Sequence, residues 1–290
     1  MSSQKILQAC REAVAKCNGA SQEYIDRGTL PSENLLICAV CEMAGARAVI
    51  ESGRFRGHST KALAEFFQGQ DIVIESVDLG ERMAVEVLGL SREEIREVHL
   101  YAEKELAPFP NVKLHYGNAF HLLGPIIRKY RDLNQKVALF IDGPKEKAAV
   151  DLAVSLLLKF DNIVAVMFHD CPKGGEFRKR LESSFQNSFF SDAEEFVGEF
   201  AYLDNSAQGP NWQPYQIEGK AVLSYGYTVG VVFPRAGEAE TYRSKFPAFF
   251  REKSLVDDLK LFLKLTGERG IKETLVLAVR KLKRILRAGA

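Results

Sequence analysis

The chain has 290 residues, 46% hydrophobic and 27% charged, and its 39 lysines and arginines against 38 aspartates and glutamates leave a formal net charge of +1. That balance is an ordinary globular one and excludes a global field drawing the chain to nucleic acid or to a membrane. The longest apolar runs, near 35–40 and 154–158, fall far short of the roughly 20 residues that cross a bilayer.

In chain order, Ile6, Leu7, Cys10, Val14 and Cys17 recur at three-to-four spacing and predict a helix over 2–18, stopped by Gly19. Polar Gln4, Lys5, Gln8, Arg11 and Glu12 interrupt this segment where a secretion signal would be apolar, so a cytoplasmic location is expected. Pro31-Ser32-Glu33 reads as a second helix start, with Leu35, Leu36, Cys38, Ala39 and Met43 as its apolar face and Gly45 at its end. Neither helix shows a reactive group, so a covering or oligomerising role is expected. From residue 47 short apolar runs alternate with helical stretches: 48–52, 72–77, 112–115, 137–141 and 163–168 as strands, with helices between them. Two later runs, 199–203 and 227–233, add strands and bring the total to seven. The segment 204–226 between them has no helical period and predicts a hairpin-like excursion. Such alternation implies a doubly wound α/β domain, a mostly parallel sheet over 46–235, with a helical segment at 1–45 and a helical tail at 236–290.

Five cysteines, Cys10, Cys17, Cys38, Cys41 and Cys171, are odd in number and scattered, which predicts reduced thiols rather than a disulfide framework. Cys38 and Cys41 have no second pair at zinc spacing and fall inside a predicted helix, so they are expected to be buried and structural.

The strand 48–52 runs into Glu51-Ser-Gly53-Arg-Phe-Arg-Gly57-His-Ser59-Thr60, which opens a helix. A strand, a glycine-bearing turn and a helix N-terminus present backbone amides to a ligand, with Gly53 allowing close approach and Ser59 or Thr60 available as a cap. The spacing matches neither the dinucleotide fingerprint nor a Walker loop, which favours a ligand with a ribose but no pyrophosphate. The second strand ends at Asp78, whose carboxylate can accept from both hydroxyls of a ribose.

These motifs resemble the class I S-adenosylmethionine-dependent methyltransferases, in the branch whose first motif reads Glu-x-Gly-x-x-x-Gly-x-Ser, here Glu51, Gly53, Gly57 and Ser59. The resemblance covers 35–233 and takes in Asp78, Gly117-Asn118-Ala119, Asp142-Gly143 at the end of the fourth strand, His169-Asp170 at the end of the fifth, and an inserted antiparallel strand at 227–233. It implies a seven-stranded Rossmann-like sheet and S-adenosylmethionine as cofactor. Glu51 and Gly53 would then lie beside the methionine end, with Gly57 and Ser59 in the same turn. Asp78 would lie at the ribose and Asn118 with Ala119 at the adenine, where many relatives carry an aspartate. Asp142 would border the same pocket.

The resemblance also makes the fourth and fifth strands neighbours, so Asp142 and Asp170 would face the cleft where the methyl group moves. Two readings stay open. The pair could hold Mg²⁺ or another hard divalent ion, although in metal-dependent catechol-type relatives a third ligand follows the second aspartate, and here that position is Cys171. Alternatively, catalysis is metal-free, with His169 or Asp170 as general base and an ordinary histidine pKa keeping His169 largely neutral. Small-polar-substrate relatives carry Asp-His after the Asp-Gly, whereas this chain has Pro144-Lys145. The expected reaction is methylation of a hydroxyl on a small molecule or sugar; the alternative is a nonenzymatic nucleoside-binding or scaffold protein with the same fold.

Trp212, Tyr215 and Tyr225 in the excursion offer flat faces for a sugar or aromatic ring. In the tail, Ile271, Leu275, Ala278, Leu282 and Ile285 share a face, and Arg280, Lys281, Lys283, Arg284 and Arg287 form a basic run. This predicts either packing within the molecule, contact with a second copy in a homo-oligomer, or peripheral contact with an anionic membrane. A nucleic-acid partner is not expected, because no basic patch is interleaved with aromatics.

Overall fold

The computed structural model describes residues 2–16, 29–204, 213–217, 220–224 and 227–246. Cys17, Trp212, Tyr225, the side chain of Tyr215 and the basic helix at 271–287 lie outside the described residues. Two compact units divide the chain, Met1–Ser244 and Lys245–Ala290, and the description below concerns the first.

Helices α1 (Ser3–Lys16) and α2 (Pro31–Met43) come first, followed by β1 (Ala48–Ser52), α3 (His58–Phe66), β2 (Val73–Asp78), α4 (Glu81–Leu88), α5 (Arg92–Leu106) and β3 (Val112–Tyr116). Then come α6 (Ala119–Asp132), β4 (Val137–Ile141), α7 (Glu146–Leu157), β5 (Ile163–Phe168), α8 (Glu176–Ser184), β6 (Ser188–Phe190) and α9 (Glu194–Phe200). A hairpin of β7 (Gln213–Ile217) and β8 (Lys220–Ser224), strand β9 (Gly230–Val232) and α10 (Glu238–Lys245) complete the described elements.

The main sheet has seven strands in the order β3-β2-β1-β4-β5-β9-β6. The first five are parallel, and β9 is antiparallel to both β5 and β6. This is the doubly wound, mostly parallel α/β fold that the alternation and the motifs predict, with the inserted antiparallel strand where it was expected. Every residue of β1 and β4 is buried, as befits central strands covered by helices on both faces. The strand order reverses between β1 and β4, which opens a crevice beyond their carboxyl ends.

Leu36, Ile37 and Val40 of α2 share one core with Val49, Ile74, Phe140, Met167 and Val231 of the sheet. Each such fully buried side chain contributes about 1.5–3 kcal/mol, so α2 is held as firmly as the sheet helices. The helix starts where Pro31 predicts it, since a proline loses no hydrogen bond at a first helical position. On the amphipathic α1, Ile6, Leu7, Cys10 and Ala13 are buried. Cys10, Cys38, Cys41 and Cys171 are buried.

One strand assignment is corrected. Residues 199–203 are not a strand: α9 ends at Phe200 and a 3-10 turn covers Ala201–Leu203. Phe196 and Phe200, four residues apart, both bury, so the apolar period there is helical. The seventh strand is instead Ser188–Phe190, three residues long. The predicted excursion does contain a hairpin, with β7 and β8 paired antiparallel from Gln213–Ser224 to Ile217–Lys220. Among the described residues no helix is long and apolar enough to cross a membrane.

Candidate active site

The turn after β1 is fastened to the turn after β4. Gly53 has φ +93°, and a Cβ there would lie 2.6 Å from the Gly143 nitrogen and 2.9 Å from the Asp142 carbonyl carbon. Asp142 N and Gly143 N donate to the Ser52 carbonyl at 2.7 and 2.8 Å, and Ser52 Oγ donates to the Gly143 carbonyl. Glycine is thus required at 53 by the approach of two backbones, in addition to any ligand. Gly57, at φ 84°, is the N-cap of α3 with no side-chain cap. The expected capping by Ser59 or Thr60 does not occur, because both hydroxyls are committed to Glu51: Ser59 Oγ donates to Oε1 at 2.5 Å and Thr60 Oγ1 donates to Oε2.

Ser76 Oγ adds a third bond to Glu51, at 2.6 Å to Oε2. Burial pushes the Glu51 carboxyl up, and the three hydroxyls pull it back only in part. Glu51 is fully enclosed, so it supports the turn from beneath rather than facing the crevice.

Asp78 closes β2 beside this turn. Its Oδ2 accepts from Phe55 N at 2.8 Å and its Oδ1 from Leu79 N at 2.7 Å, leaving lone pairs on both oxygens for further donors. Burial raises its pKa and the nearby Arg54 charge lowers it. Arg54 is itself buried and donates from Nη1 to the Ser76 carbonyl at 2.9 Å. Its guanidinium carbon lies 4.7 Å from the centre of the Tyr116 ring, and its Nε and Nη2 have no hydrogen-bond partner among the described residues. Asn118 is the N-cap of α6, with φ −79° and Oδ1 accepting from Phe120 N at 2.9 Å; Ala119 begins the helix.

At the ends of β4 and β5 the structure brings Asp142, His169 and Asp170 together, with one ligand atom from each within 4.8 Å of the others. His169 Nδ1 lies 3.0 Å from Asp142 Oδ1 and 3.2 Å from Asp170 Oδ1. Lys145 Nζ contacts Asp142 Oδ1 and lies 2.6 Å from Asp170 Oδ2. Asp170 has φ 57°, a left-handed conformation uncommon for a residue with a side chain and a feature of functional turns.

On the far side of the histidine, Glu33 Oε2 lies 3.9 Å from Nε2. Glu33 is buried, and its Oε1 accepts from Ser191 Oγ at 2.8 Å, Thr228 N at 2.6 Å and Val229 N at 2.9 Å.

The charges in this cluster are mutually determined. Burial alone would discharge His169, but Asp142, Asp170 and Glu33 override it and raise its pKa to about 10. The charges of Asp142 and Asp170 thus favour the imidazolium over the largely neutral ring that an ordinary histidine pKa implies. His169 and Lys145 in turn hold the Asp170 carboxyl well below its usual range. They also lower Asp142 despite its burial. Lys145 loses some basicity to burial and regains more from its two aspartates, so it stays charged.

The donor set can be weighed against a divalent ion. Two carboxylates and an imidazole would suit one, but as the side chains stand Lys145 Nζ takes the contacts with both carboxylates, and His169 is charged. Cys171 adds nothing: it is buried, its thiol is pushed up by burial, and its Sγ lies 3.0 Å from where a Cβ on Gly230 would sit, between β5 and β9. The arrangement does not fit a metal without displacing the lysine.

Three functional groups escaped the sequence reading. Lys145 was noted only as a departure from relatives, Glu33 only as a helix start, and Arg54 only as filler between two glycines. The N-terminal helices cover the core as expected, and α2 in addition brings Glu33 to the cluster.

No protein-family model matches the chain, and no curated protein matches it. Solved structures similar to the chain include several methyltransferases. The O-methyltransferase TomG of Streptomyces achromogenes, involved in tomaymycin synthesis and solved with SAM, is 13% identical; 81% of this chain and 92% of that one are covered, at a TM-score of 0.37. The O-methyltransferase of Bacillus cereus, solved with SAH, is 13% identical over 81% and 92%, at 0.34. A methyltransferase of Podospora anserina, also with SAH bound, is 10% identical over 81% and 89%, at 0.36. Identities and scores this low leave the chemistry of the site to be judged from its own residues.

Proposed function

We propose that the protein is an S-adenosylmethionine-dependent methyltransferase acting on a hydroxyl oxygen of a small molecule or sugar unit. The observation that carries this reading is the alignment of Gly53, Asp78, Asn118, Asp142 and His169 with Asp170, each just at or beyond the carboxyl end of one of five adjacent parallel strands. That edge is where open α/β sheets bind ligands.

When bound, the cofactor supplies an electrophilic methyl group on a sulfonium. Asp78 accepts from the ribose hydroxyls with the lone pairs that Phe55 N and Leu79 N leave free, and the Asn118 amide group offers donors to the adenine. Asp170, 46% exposed, would accept a hydrogen bond from the incoming hydroxyl and orient its oxygen; its lowered basicity leaves the proton to pass to solvent as the O–C bond forms and the S–C bond of the sulfonium breaks. His169, whose Nδ1 lies 3.0 and 3.2 Å from the two aspartates, favours their ionised forms by its charge rather than removing a proton.

Calorimetry with S-adenosylmethionine, S-adenosylhomocysteine and NAD tests the cofactor, and methyl transfer to a panel of phenols and sugars tests the reaction. Binding of the first two but not NAD, with turnover on a hydroxyl acceptor, supports the proposal. The paired state of both carboxylates favours one rival, a nucleoside-binding scaffold, for which binding would occur with no turnover on any acceptor. Binding of NAD alone would overturn the methyltransferase reading.

A further inference from the structure

The cluster at the ends of β4 and β5 has the ingredients of a divalent-cation site except for room. Asp142 and Asp170 are at the separation a shared ion would need, yet the Lys145 ammonium already contacts Asp142 Oδ1 and lies 2.6 Å from Asp170 Oδ2. An ammonium offers three donors to oxygen and no lone pair, so it can bridge two carboxylates as a cation does while competing directly with any metal for the same oxygens. Lys145 stands three residues after Asp142, at the N-cap of α7, so strand β4 and helix α7 fix the near ends of both side chains.

The backbone supports the same geometry from the other side. His169 N donates to the Ile141 carbonyl at 3.1 Å, which ties the end of β5 to the end of β4. The left-handed backbone at Asp170 then turns its carboxylate to the lysine.

We infer that Lys145 is the built-in cation of this site: its ammonium holds Asp142 and Asp170 in place of a divalent ion, and its removal converts the carboxylate pair into a metal-binding site. Lys145 is thus a positioning residue that orders the two carboxylates. The inference rests on the geometry of four side chains. It needs the methyltransferase reading only for the added statement that the reaction proceeds without a metal.

The test is Mn²⁺ binding to the full-length protein near pH 7.5, followed by electron paramagnetic resonance and calorimetry, with no substrate or cofactor present. The wild-type protein and Lys145→Arg are expected to bind Mn²⁺ weakly and alike. Lys145→Ala and Lys145→Met are expected to bind it at least about tenfold more tightly, a change equal to roughly 1.4 kcal/mol. Adding Asp142→Asn to Lys145→Ala should remove the gain, and circular dichroism should show every variant folded. Tight Mn²⁺ binding by the wild type that Asp142→Asn abolishes would overturn the inference, as would folded Lys145→Ala and Lys145→Met proteins with no gain. Because methyl transfer is not read, failure here leaves the cofactor proposal standing, and failure of the cofactor proposal leaves this one intact.

Discussion

Glu33 Oε2 lies 3.9 Å from His169 Nε2, so a residue in the first turn of the second helix adds to the charge that Asp142 and Asp170 chiefly hold on a histidine at the end of the fifth strand. The same carboxylate takes the amides of Thr228 and Val229, which lead into β9. Replacing Glu33 by alanine would deprive the Thr228 amide of its acceptor, while Val229 N keeps Ser191 Oγ at 3.0 Å, at a cost of about 1–3 kcal/mol of stability. Chemical denaturation measures this. Glu33→Gln keeps an acceptor oxygen and removes the charge; in that variant the His169 pKa should fall from about 10 toward its ordinary value, read by NMR titration.

The pH dependence follows from the sign of that shift. His169 is raised from 6.5 to about 10 in the folded protein. The stabilisation from its charge is therefore fully present below pH 6.5 and is lost as pH rises through about 10. Wild type should exceed His169→Gln in stability near pH 6 and lose that advantage progressively toward pH 10. Urea unfolding at several pH values reads the difference; a gap that widens with pH would contradict the assignment.

Gly53→Ala should destabilise the fold by about 2–4 kcal/mol, because the new Cβ meets backbone on the facing turn and the positive φ disfavours any side chain. Thermal melting checks this without a ligand. Gly80, where a Cβ would meet nothing within 4 Å, is the control, and Gly80→Ala should change stability far less.

For the proposed cofactor, Asp78→Ala should weaken binding by about 1.5–3 kcal/mol, the range for hydrogen bonds to a charged group. Asp78→Asn keeps an acceptor for Phe55 N or Leu79 N and should fold more stably than the alanine variant while still binding more weakly than wild type. Calorimetry with S-adenosylhomocysteine beside a melting curve separates the two effects.

Strands β4 and β5 are legible in the sequence as unbroken apolar runs, whereas β2 and β3 contain polar residues and are legible from their place in the alternation of strands and helices. Strand β6 is not, since three residues leave no period to detect. The run at 199–203 misled for the opposite reason: its aromatic residues suit a strand, and only their burial four apart shows the helix. Lys145 and Glu33 carry no local signature at all. Each becomes functional through partners far away or across a turn, and a lysine after Gly-Pro or a glutamate after Pro-Ser reads as a surface residue until the chain is folded.

The insertion of β9 between β5 and β6 also dictates an order of assembly. Among the described residues strand β6 pairs with β9 alone, so although it is synthesised earlier it has no place in the sheet until Gly230–Val232 has left the ribosome. Until then β5 presents a bare, apolar edge of Val166, Met167 and Phe168, the kind of edge that recruits foreign strands. A nascent chain stalled before residue 230 would therefore carry nearly the whole parallel sheet and yet be sticky, and it is at that stage of synthesis that chaperone protection matters most.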